Sequence, residues 1–236
     1  MLDAVLFDWG DTLMRWAPEP DLLDVGHAAG FAAIGKEPVA GVTERFRDVN
    51  IASFFAPGII EEIEYPGAVR RLLGEFDVAV SDDELSRFLE AEHEAWQPAR
   101  MLASTTHALL ETLRDRGLRT GLVSNAFDPP ELLHRDLARL GVAERLDVAI
   151  FSSEVGRRKP DPLIFERALE ALDVEPARAL FVGDTLATDI AGAAALGMRT
   201  CLAVWFRADD DPGAPEPEFH AFTQMDVLTI VGRLAE

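Results

Sequence analysis

Short runs of apolar residues without polar alternation recur along the chain, most of them in its second half. The first run covers residues 4–7, and four more lie at 120–123, 148–151, 179–182 and 200–204. Continuous apolar runs of this length are typical of strands that are buried on both faces of a parallel sheet. The pattern therefore predicts five buried strands, with the first far from the others along the chain.

Segments with a helical repeat of apolar residues separate the later strands. They cover residues 105–116, 130–140, 163–172 and 188–196. Gly117, Gly141 and Gly197 follow three of these segments, where a helix end often takes a left-handed conformation. Strands that alternate with helices of this length indicate an α/β fold. We therefore predict a doubly wound, Rossmann-like parallel sheet, to which residues 219–222 and 226–234 add an edge strand and a closing helix.

The stretch between the first strand and the rest of the sheet has a different pattern. Its apolar residues repeat at spacings of three and four, as in Val69, Leu72, Leu73 and Phe76, and it is interrupted by Pro38, Pro57, Pro66 and Pro98. This spacing predicts amphipathic helices. We expect four or five helices in a domain that covers residues 16–102 and is inserted into a core formed by residues 1–15 and 103–236.

The charge of the chain restricts its partners. It carries 22 Lys and Arg residues against 42 Asp and Glu residues, a formal net charge of -20. Such a chain repels nucleic acids and anionic membranes, and none of its apolar runs approaches the roughly 18 residues of a membrane span. Its first residues do not resemble a signal peptide, and the one cysteine, Cys201, has no partner for an internal disulfide. We expect a cytoplasmic protein that acts on a small molecule, and its oligomeric state stays open.

Polar residues follow four of the predicted strands. They are Asp8 and Asp11, then Ser124 and Asn125, then Ser152, Ser153 and Lys159, and finally Gly183, Asp184, Thr185 and Asp189. Because the carboxyl ends of parallel strands meet at one edge of a sheet, ligands bind there. These residues together supply carboxylates, hydroxyls, an amide and an ammonium group to a single site.

These residue types favour nucleophilic chemistry assisted by a metal ion. A carboxylate at a strand end, such as Asp8, can act as a nucleophile when a cation offsets the neighbouring negative charge. Asp8 and Asp184 offer the oxygen ligands that Mg²⁺ prefers. Ser124 can hold anionic oxygens, and Lys159 supplies a positive charge. We therefore predict metal-assisted attack on phosphorus or carbon.

Four ordered motifs resemble those of the haloacid-dehalogenase-like hydrolase superfamily. They are FDWGDTL at 7–13, LVSN at 122–125, RKPDP at 158–162, and VGD at 182–184 followed by Asp189. The resemblance covers roughly residues 1–15 and 104–205. The insert lies where this superfamily places a helical cap, which closes over the site and selects the substrate, although its sequence contains no motif that names one.

The resemblance implies a role for each matching residue. Asp8 would be the nucleophile that forms an aspartyl-phosphate intermediate. Thr12, Ser124 and Asn125 would bind the substrate together with Lys159, which would also position Asp8 and offset charge. The metal ligands would be Asp8, the Gly10 carbonyl, Asp184 and Asp189, with Asp189 alternatively serving as a partner of Lys159.

One position departs from the phosphatases of this superfamily. They have a second aspartate two residues after the nucleophile, which protonates the leaving group and then activates water, whereas this chain has Gly10 there and an aspartate at Asp11. Three interpretations follow. Asp11 replaces the missing acid/base, or the substrate has a leaving group that needs no proton, as in an acyl phosphate. Alternatively, the chemistry is that of the dehalogenating or phosphonate-cleaving branches, which also lack this aspartate.

The other branches fit this sequence less well than a magnesium-dependent phosphatase. The phosphonate-cleaving branch needs a cap lysine, for which Lys36 is the candidate, in a sequence typical of a polar turn. The dehalogenating branch has a tyrosine where this chain has Gly10, and the chain's one tyrosine is Tyr65. A catalytically weak protein that binds a phosphorylated ligand is a further alternative, and it also rests on Gly10.

Several residues favour a structural interpretation over a chemical one. The five histidines lack the spacing of metal ligands, so we expect them at the surface or in the core. Cys201 lies in an apolar run, which predicts a buried and unreactive thiol. The aromatic residues of the insert and its edge are predicted to pack between cap and core rather than to line a pocket; they are Trp16, Phe54, Phe55 and Trp96.

Overall fold

The computed structural model describes residues 2–51, 58–206 and 213–235. The strands are β1 (Ala4–Phe7), β2 (Met14–Trp16), β3 (Arg100–Leu102), β4 (Arg119–Ser124), β5 (Val148–Phe151), β6 (Ala179–Gly183), β7 (Arg199–Ala203) and β8 (Phe219–Ala221). The α-helices are α1 (Leu22–Ala33), α2 (Val42–Phe46), α3 (Tyr65–Glu75), α4 (Asp82–Ala95), α5 (Thr106–Asp115), α6 (Pro130–Arg139), α7 (Ser152–Val155), α8 (Pro162–Leu172), α9 (Ala191–Ala195) and α10 (Asp226–Ala235). Single π-helical turns lie at Arg47–Ile51 and Leu186–Ile190.

Six of the described strands form one parallel sheet, in the order β5-β4-β1-β6-β7-β8. Phe7 of β1 pairs with Leu122 on one side and with Val182 on the other, so β1 lies between β4 and β6. The chain winds outward from β1 in both directions, which is the doubly wound arrangement. The five predicted strands, the added edge strand and the closing helix are confirmed.

The central strands are buried on both faces, as their continuous apolar sequences predict. Val5 and Phe7 point into one hydrophobic cluster, whereas Ala4 and Leu6 point into a second cluster on the opposite face. This alternation follows from the two-residue period of a strand. Helices cover both faces, and none of the described helices combines the length and apolar composition that a membrane span requires.

The predicted helix ends are confirmed at three glycines. Gly117, Gly141 and Gly197 have φ angles of 76°, 66° and 81°, a left-handed conformation that glycine adopts without steric cost. The predicted helix over 188–196 differs in detail, because the chain first makes the π-helical turn Leu186–Ile190 and only then forms α9.

Helices α1 to α4 lie between the first and second strands of the sheet, which confirms an inserted helical cap. They pack around a hydrophobic cluster of their own, in which Phe31, Phe46 and Phe88 are almost fully buried. Gly30 of α1 lets α4 approach closely, since a Cβ atom there would lie 2.7 Å from the Phe88 ring. The boundaries of 16–102 stay a prediction.

A two-stranded antiparallel ribbon forms where the chain enters and leaves the cap. Met14 of β2 pairs with Leu102 of β3, and Trp16 pairs with Arg100. The sequence analysis did not predict these strands, because three residues are too few to display an alternating pattern. The ribbon joins both connections between cap and core into one element.

The structural interpretation of the aromatic residues is confirmed for two of them. Trp96 is buried in the cap cluster, and its indole Nε1 donates to the Leu22 carbonyl at 3.1 Å. Trp16 packs against the clusters of both cap and core. Phe54 and Phe55 lie outside the described residues. Cys201 is fully buried, as predicted, and burial raises the pKa of its thiol to about 12.

A buried ionic network joins cap helix α4 to the core. His93 lies between two carboxylates, with Nδ1 at 2.6 Å from Asp128 Oδ1 and Nε2 at 2.9 Å from Asp136 Oδ2. Arg100 lies 3.3 Å from the same Asp128 oxygen.

Burial opposes the charged imidazolium, but the two hydrogen bonds outweigh it and raise the pKa of His93. Although burial also opposes ionisation of the aspartates, His93 and other partners lower the pKa of Asp128 and Asp136. The sequence placed this histidine in the core or at the surface but did not predict its partners.

We expect His93→Gln to lower the free energy of unfolding by about 3 kcal/mol at pH 5.5, because two buried carboxylates lose the cation that lies between them and keep only Arg100. A raised pKa means that the contribution of His93 is fully present below pH 6.5, and is lost as the pH rises through its folded pKa. The pKa values of the two aspartates are lowered, so their contribution to stability is fully present above pH 3.8 and is lost as the pH falls through their folded pKa values. Urea unfolding at pH 5.5 and pH 9 measures the difference.

The matched control for this prediction is His134→Gln. His134 also contacts a carboxylate, with Nε2 at 2.9 Å from Glu154, but its side chain is 45% exposed. We expect this variant to lose less than about 1 kcal/mol, as exposed ion pairs do. An equal loss in both variants, or a loss in His93→Gln that does not depend on pH, would contradict the network as the source of stability.

Candidate active site

The carboxyl ends of three central strands bring the predicted site residues to one edge of the sheet. Asp8 directly follows β1, Ser124 is the last residue of β4, and Asp184 follows β6. Because β1 pairs with both β4 and β6, these three side chains belong to adjacent strands. Asp189 joins them from the π-helical turn that follows β6. Adjacent strand ends therefore account for the convergence that the sequence predicted.

Lys159 bridges two of the carboxylates. Its Nζ atom lies 2.5 Å from Asp8 Oδ1 and 2.6 Å from Asp189 Oδ1, and all three side chains are buried. The Phe181 ring of β6 lies below the ammonium group, with the ring centroid 5.5 Å from Nζ. The alternative in which Asp189 is a partner of Lys159 is therefore seen directly in these contacts.

Asp8, Asp184 and Asp189 form a compact acidic cluster. Each offers a carboxylate oxygen, and these oxygens lie within 4.8 Å of one another. Burial raises the pKa of Asp8; Lys159 opposes this effect, whereas repulsion from the other two carboxylates adds to it. Burial opposes the charge of Lys159, but Asp189 and Asp8 outweigh it and raise the pKa of this lysine. Three carboxylates against one ammonium leave a surplus of buried negative charge that fits a divalent cation with oxygen ligands.

Gly183 allows Asp189 to reach the end of β6. A Cβ atom at position 183 would lie 2.4 Å from Asp189 Oδ2, a distance that real contacts do not tolerate. The Asp189 carboxylate is held there by the Thr185 backbone N–H, which donates to Oδ2 at 3.1 Å. The glycine of the fourth motif is thus required by the close approach of a carboxylate to the strand.

Asn125 makes contacts that the sequence analysis did not predict. Its Oδ1 accepts from the Lys159 backbone N–H at 2.7 Å, and its Nδ2 donates to the Lys159 carbonyl at 3.1 Å. Both ends of the side-chain amide are therefore engaged with the backbone of Lys159. Its predicted role in binding substrate stays a prediction, whereas the observed contacts fix the position of the lysine.

The segment after Asp8 contains three predicted site residues in different settings. Thr12 Oγ1 is buried and has no hydrogen-bond partner among the described residues. Asp11 has a φ of 52°, and its Oδ1 accepts from the Trp16 backbone N–H at 3.0 Å. Gly10 has open space where a Cβ would lie. The contact of Asp11 supports a role in the turn before β2, and its acid/base role stays a prediction.

The residues behind the alternative chemistries lie in the cap. Lys36 Nζ donates to the Ala79 carbonyl at 2.7 Å and lies 3.6 Å from Glu84, with its side chain 36% exposed. Tyr65 is buried, and its hydroxyl donates to Glu92 at 2.7 Å. None of these contacts involves the acidic cluster.

Comparison with known proteins agrees with this geometry. The sequence profile described as "haloacid dehalogenase-like hydrolase" matches residues 2–197. The phosphoserine phosphatase of Thermus thermophilus is 28% identical in an alignment of 239 positions that covers 91% of this chain and 94% of that protein. Together with the four motifs at the strand ends, the match over most of the chain identifies a hydrolase.

Two solved structures share the whole fold. The HAD phosphatase from Thermococcus onnurineus is 26% identical, with a TM-score of 0.68 and 98% of each chain covered. The 2-haloacid dehalogenase from Pseudomonas syringae is 25% identical, with a TM-score of 0.69 and coverage of 99% of this chain and 100% of that one. Sequence profile, motifs and fold agree, and this chain belongs to the haloacid dehalogenase-like hydrolase family.

Proposed function

We propose that this hydrolase is a magnesium-dependent phosphatase that acts on a small phosphate ester or anhydride. One observation carries the proposal: Lys159 links Asp8 to Asp189 inside a buried cluster of three carboxylates at the end of the sheet. The name of the Thermus relative, a phosphoserine phosphatase, supports the same class of reaction. The acidic surface, with its net charge of -20, favours a small molecule over a nucleic acid. The cytoplasmic location stays a prediction.

In the first step, a carboxylate oxygen of Asp8 attacks the substrate phosphorus. A bond forms between that oxygen and phosphorus, while the bond from phosphorus to the leaving-group oxygen breaks and its electron pair departs with the leaving group. Lys159, at 2.5 Å, orients Asp8 and offsets the charge that builds on the phosphoryl oxygens. The hydroxyls of Ser124 and Thr12 are the donors that we assign to those oxygens.

In the second step, a water oxygen bonds to the phosphorus of the aspartyl-phosphate, the bond from phosphorus to the Asp8 oxygen breaks, and its electron pair regenerates the carboxylate. The attacking water passes a proton to a phosphoryl oxygen of the departing phosphate, whereas an ester leaving group must gain a proton in the first step. Gly10 stands where related phosphatases have the aspartate that serves both transfers, and glycine has no group that exchanges a proton. We therefore propose that substrates with acidic leaving groups, such as acyl phosphates, react fastest.

Asp8, Asp184 and Asp189, with the Gly10 carbonyl, are the residues that we propose as ligands of Mg²⁺. When bound, the ion would supply positive charge that offsets the carboxylates and the phosphoryl group. The fit rests on the surplus negative charge of the buried cluster and on its oxygen donors. Asp189 also contacts Lys159 Nζ, at 2.6 Å.

The test is release of inorganic phosphate from acetyl phosphate, p-nitrophenyl phosphate, sugar phosphates and nucleotides, with 5 mM MgCl₂ or with chelator. We expect release that requires magnesium and is fastest from acetyl phosphate, because its leaving group needs no proton. Halide release from a 2-haloacid without magnesium would contradict the proposal and favour a dehalogenase. Tight binding of a phosphorylated ligand without turnover would instead favour a binding protein.

A further inference from the structure

A segment of the cap lies directly against the loop that carries Lys159. Residues 60–62, here called the bridge segment, pair with residues 156–158; these residues and Lys159, which directly follows them, are here called the lysine loop. The Arg158 backbone N–H donates to the Ile60 carbonyl at 2.8 Å, and the Glu62 N–H donates to the Gly156 carbonyl at 3.1 Å. The two chains thus form an antiparallel bridge centred on Glu61 and Arg157, although they lie far apart in sequence.

The two acidic side chains of the bridge segment have opposite environments. Glu61 forms an ion pair with Arg157 at 2.9 Å, and its side chain is 69% exposed. The Glu62 side chain is 2% exposed, and its Oε2 accepts a hydrogen bond from the Ser152 hydroxyl and lies 3.8 Å from Arg158 Nε. Burial raises the pKa of Glu62, whereas Ser152, the Ile63 N–H and Arg158 oppose that rise. Burial of a carboxylate costs free energy unless hydrogen bonds and ion pairs compensate for the lost hydration. These contacts therefore hold the Glu62 side chain in its buried position.

Glu62 contacts two parts of the core that hold Lys159: the residues around Asn125, through Ser152, and Arg158 of the lysine loop. Ser152, which donates to Glu62, accepts from the Ala126 backbone N–H at 2.8 Å. Ala126 follows Asn125, whose amide holds the Lys159 backbone. On the other side, Glu62 faces Arg158, the residue before Lys159. One cap side chain therefore contacts the loop after β4, through Ser152, and the lysine loop directly.

We propose that Glu62 is a positioning residue, supplied by the cap, that fixes the lysine loop and thereby places Lys159 against Asp8. The inference rests on the proposed function, in which Lys159 assists the attack of Asp8. Asn125, Asp8 and Asp189 also contact Lys159, so Glu62 adds to these core contacts from the side of the cap.

The test compares Glu62→Ala with Glu61→Ala, which removes the neighbouring exposed carboxylate of the same bridge. Hydrogen exchange of the Arg158 and Lys159 amides reports on the loop without any need for turnover. We expect Glu62→Ala to exchange at least about tenfold faster than wild type at both amides, and Glu61→Ala to match wild type. We also expect Glu62→Ala to lower kcat for acetyl phosphate by about 10- to 100-fold with little change in KM, because misplaced groups slow chemistry more than binding.

Equal exchange in the two alanine variants, or a lower kcat without faster exchange, would overturn the inference. If Glu62→Ala does not fold, Glu62→Gln carries the same comparison against Glu61→Gln; it keeps an oxygen for Ser152, so the expected change falls to about threefold. A wild-type protein that releases no phosphate would refute the proposed function alone. The exchange comparison would still decide whether Glu62 fixes the lysine loop.

Discussion

Replacement of Asp8 by asparagine should lower phosphate release by at least about 10⁴-fold, the scale expected when an enzyme loses its nucleophile. The amide has nearly the same shape as the carboxylate, but it is a much weaker nucleophile. It can still accept the hydrogen bond that Lys159 donates at 2.5 Å. Because burial and two neighbouring carboxylates raise the pKa of Asp8, loss of its charge relieves repulsion, and we expect the variant to fold. Initial rates with acetyl phosphate and magnesium measure the effect.

The matched control for Asp8→Asn is Asp83→Asn. Asp83 lies on α4 with its side chain 86% exposed, 3.3 Å from Arg87. We expect this variant to retain full activity, since exposed ion pairs contribute little to stability. Trapping with hydroxylamine should detect an acyl-phosphate in the wild type and none in Asp8→Asn. If Asp8→Asn kept more than about a hundredth of the activity while folded, Asp8 would not be the nucleophile and the proposed mechanism would be wrong.

The sheet was predictable because a strand that is buried on both faces has a continuous run of apolar residues. A strand such as β6, covered on both sides, needs apolar residues at every position, and 179–182 is such a run. The apolar runs also predicted the positions of Asp8 and Asp184, since each comes directly after a strand. The order of parallel strands then brings the ends together without any further information from the sequence.

Contacts between distant segments could not be predicted in the same way. Asn125 holds the backbone of Lys159, and Glu62 contacts Ser152, but neither pair shares a helix or a strand. The same holds for His93 and its two aspartates. An acidic residue in the cap looks like any solvated carboxylate until the fold places it beside a loop of the core. The contacts that position Lys159 were missed for this reason, whereas the proximity of Asp8 and Lys159 was predicted.

Introduction of an aspartate by Gly10→Asp should raise kcat/KM for sugar phosphates by about 10²-fold, the scale of general acid catalysis. A Cβ at Gly10 would meet no heavy atom within 4 Å, and its φ is not in the left-handed region, so the Cβ and backbone of an aspartate meet no obstacle there. An alkoxide leaving group gains a proton donor, whereas acetate needs none. The kcat/KM for acetyl phosphate should therefore change by less than about threefold. Steady-state kinetics with both substrates measure the ratio.

The gain depends on the role of Asp11, which Gly10→Asn and Asp11→Asn isolate. Gly10→Asn has the same size as Gly10→Asp but transfers no proton, so we expect no gain. Asp11 Oδ1 accepts from the Trp16 N–H, a bond that asparagine can also make, so Asp11→Asn should keep turnover within about threefold. A 10²-fold loss in Asp11→Asn, with no gain in Gly10→Asp, would contradict this expectation. Asp11 would then be the acid/base, displaced by one residue from its place in related phosphatases, and the turn before β2 would have to open during each catalytic cycle.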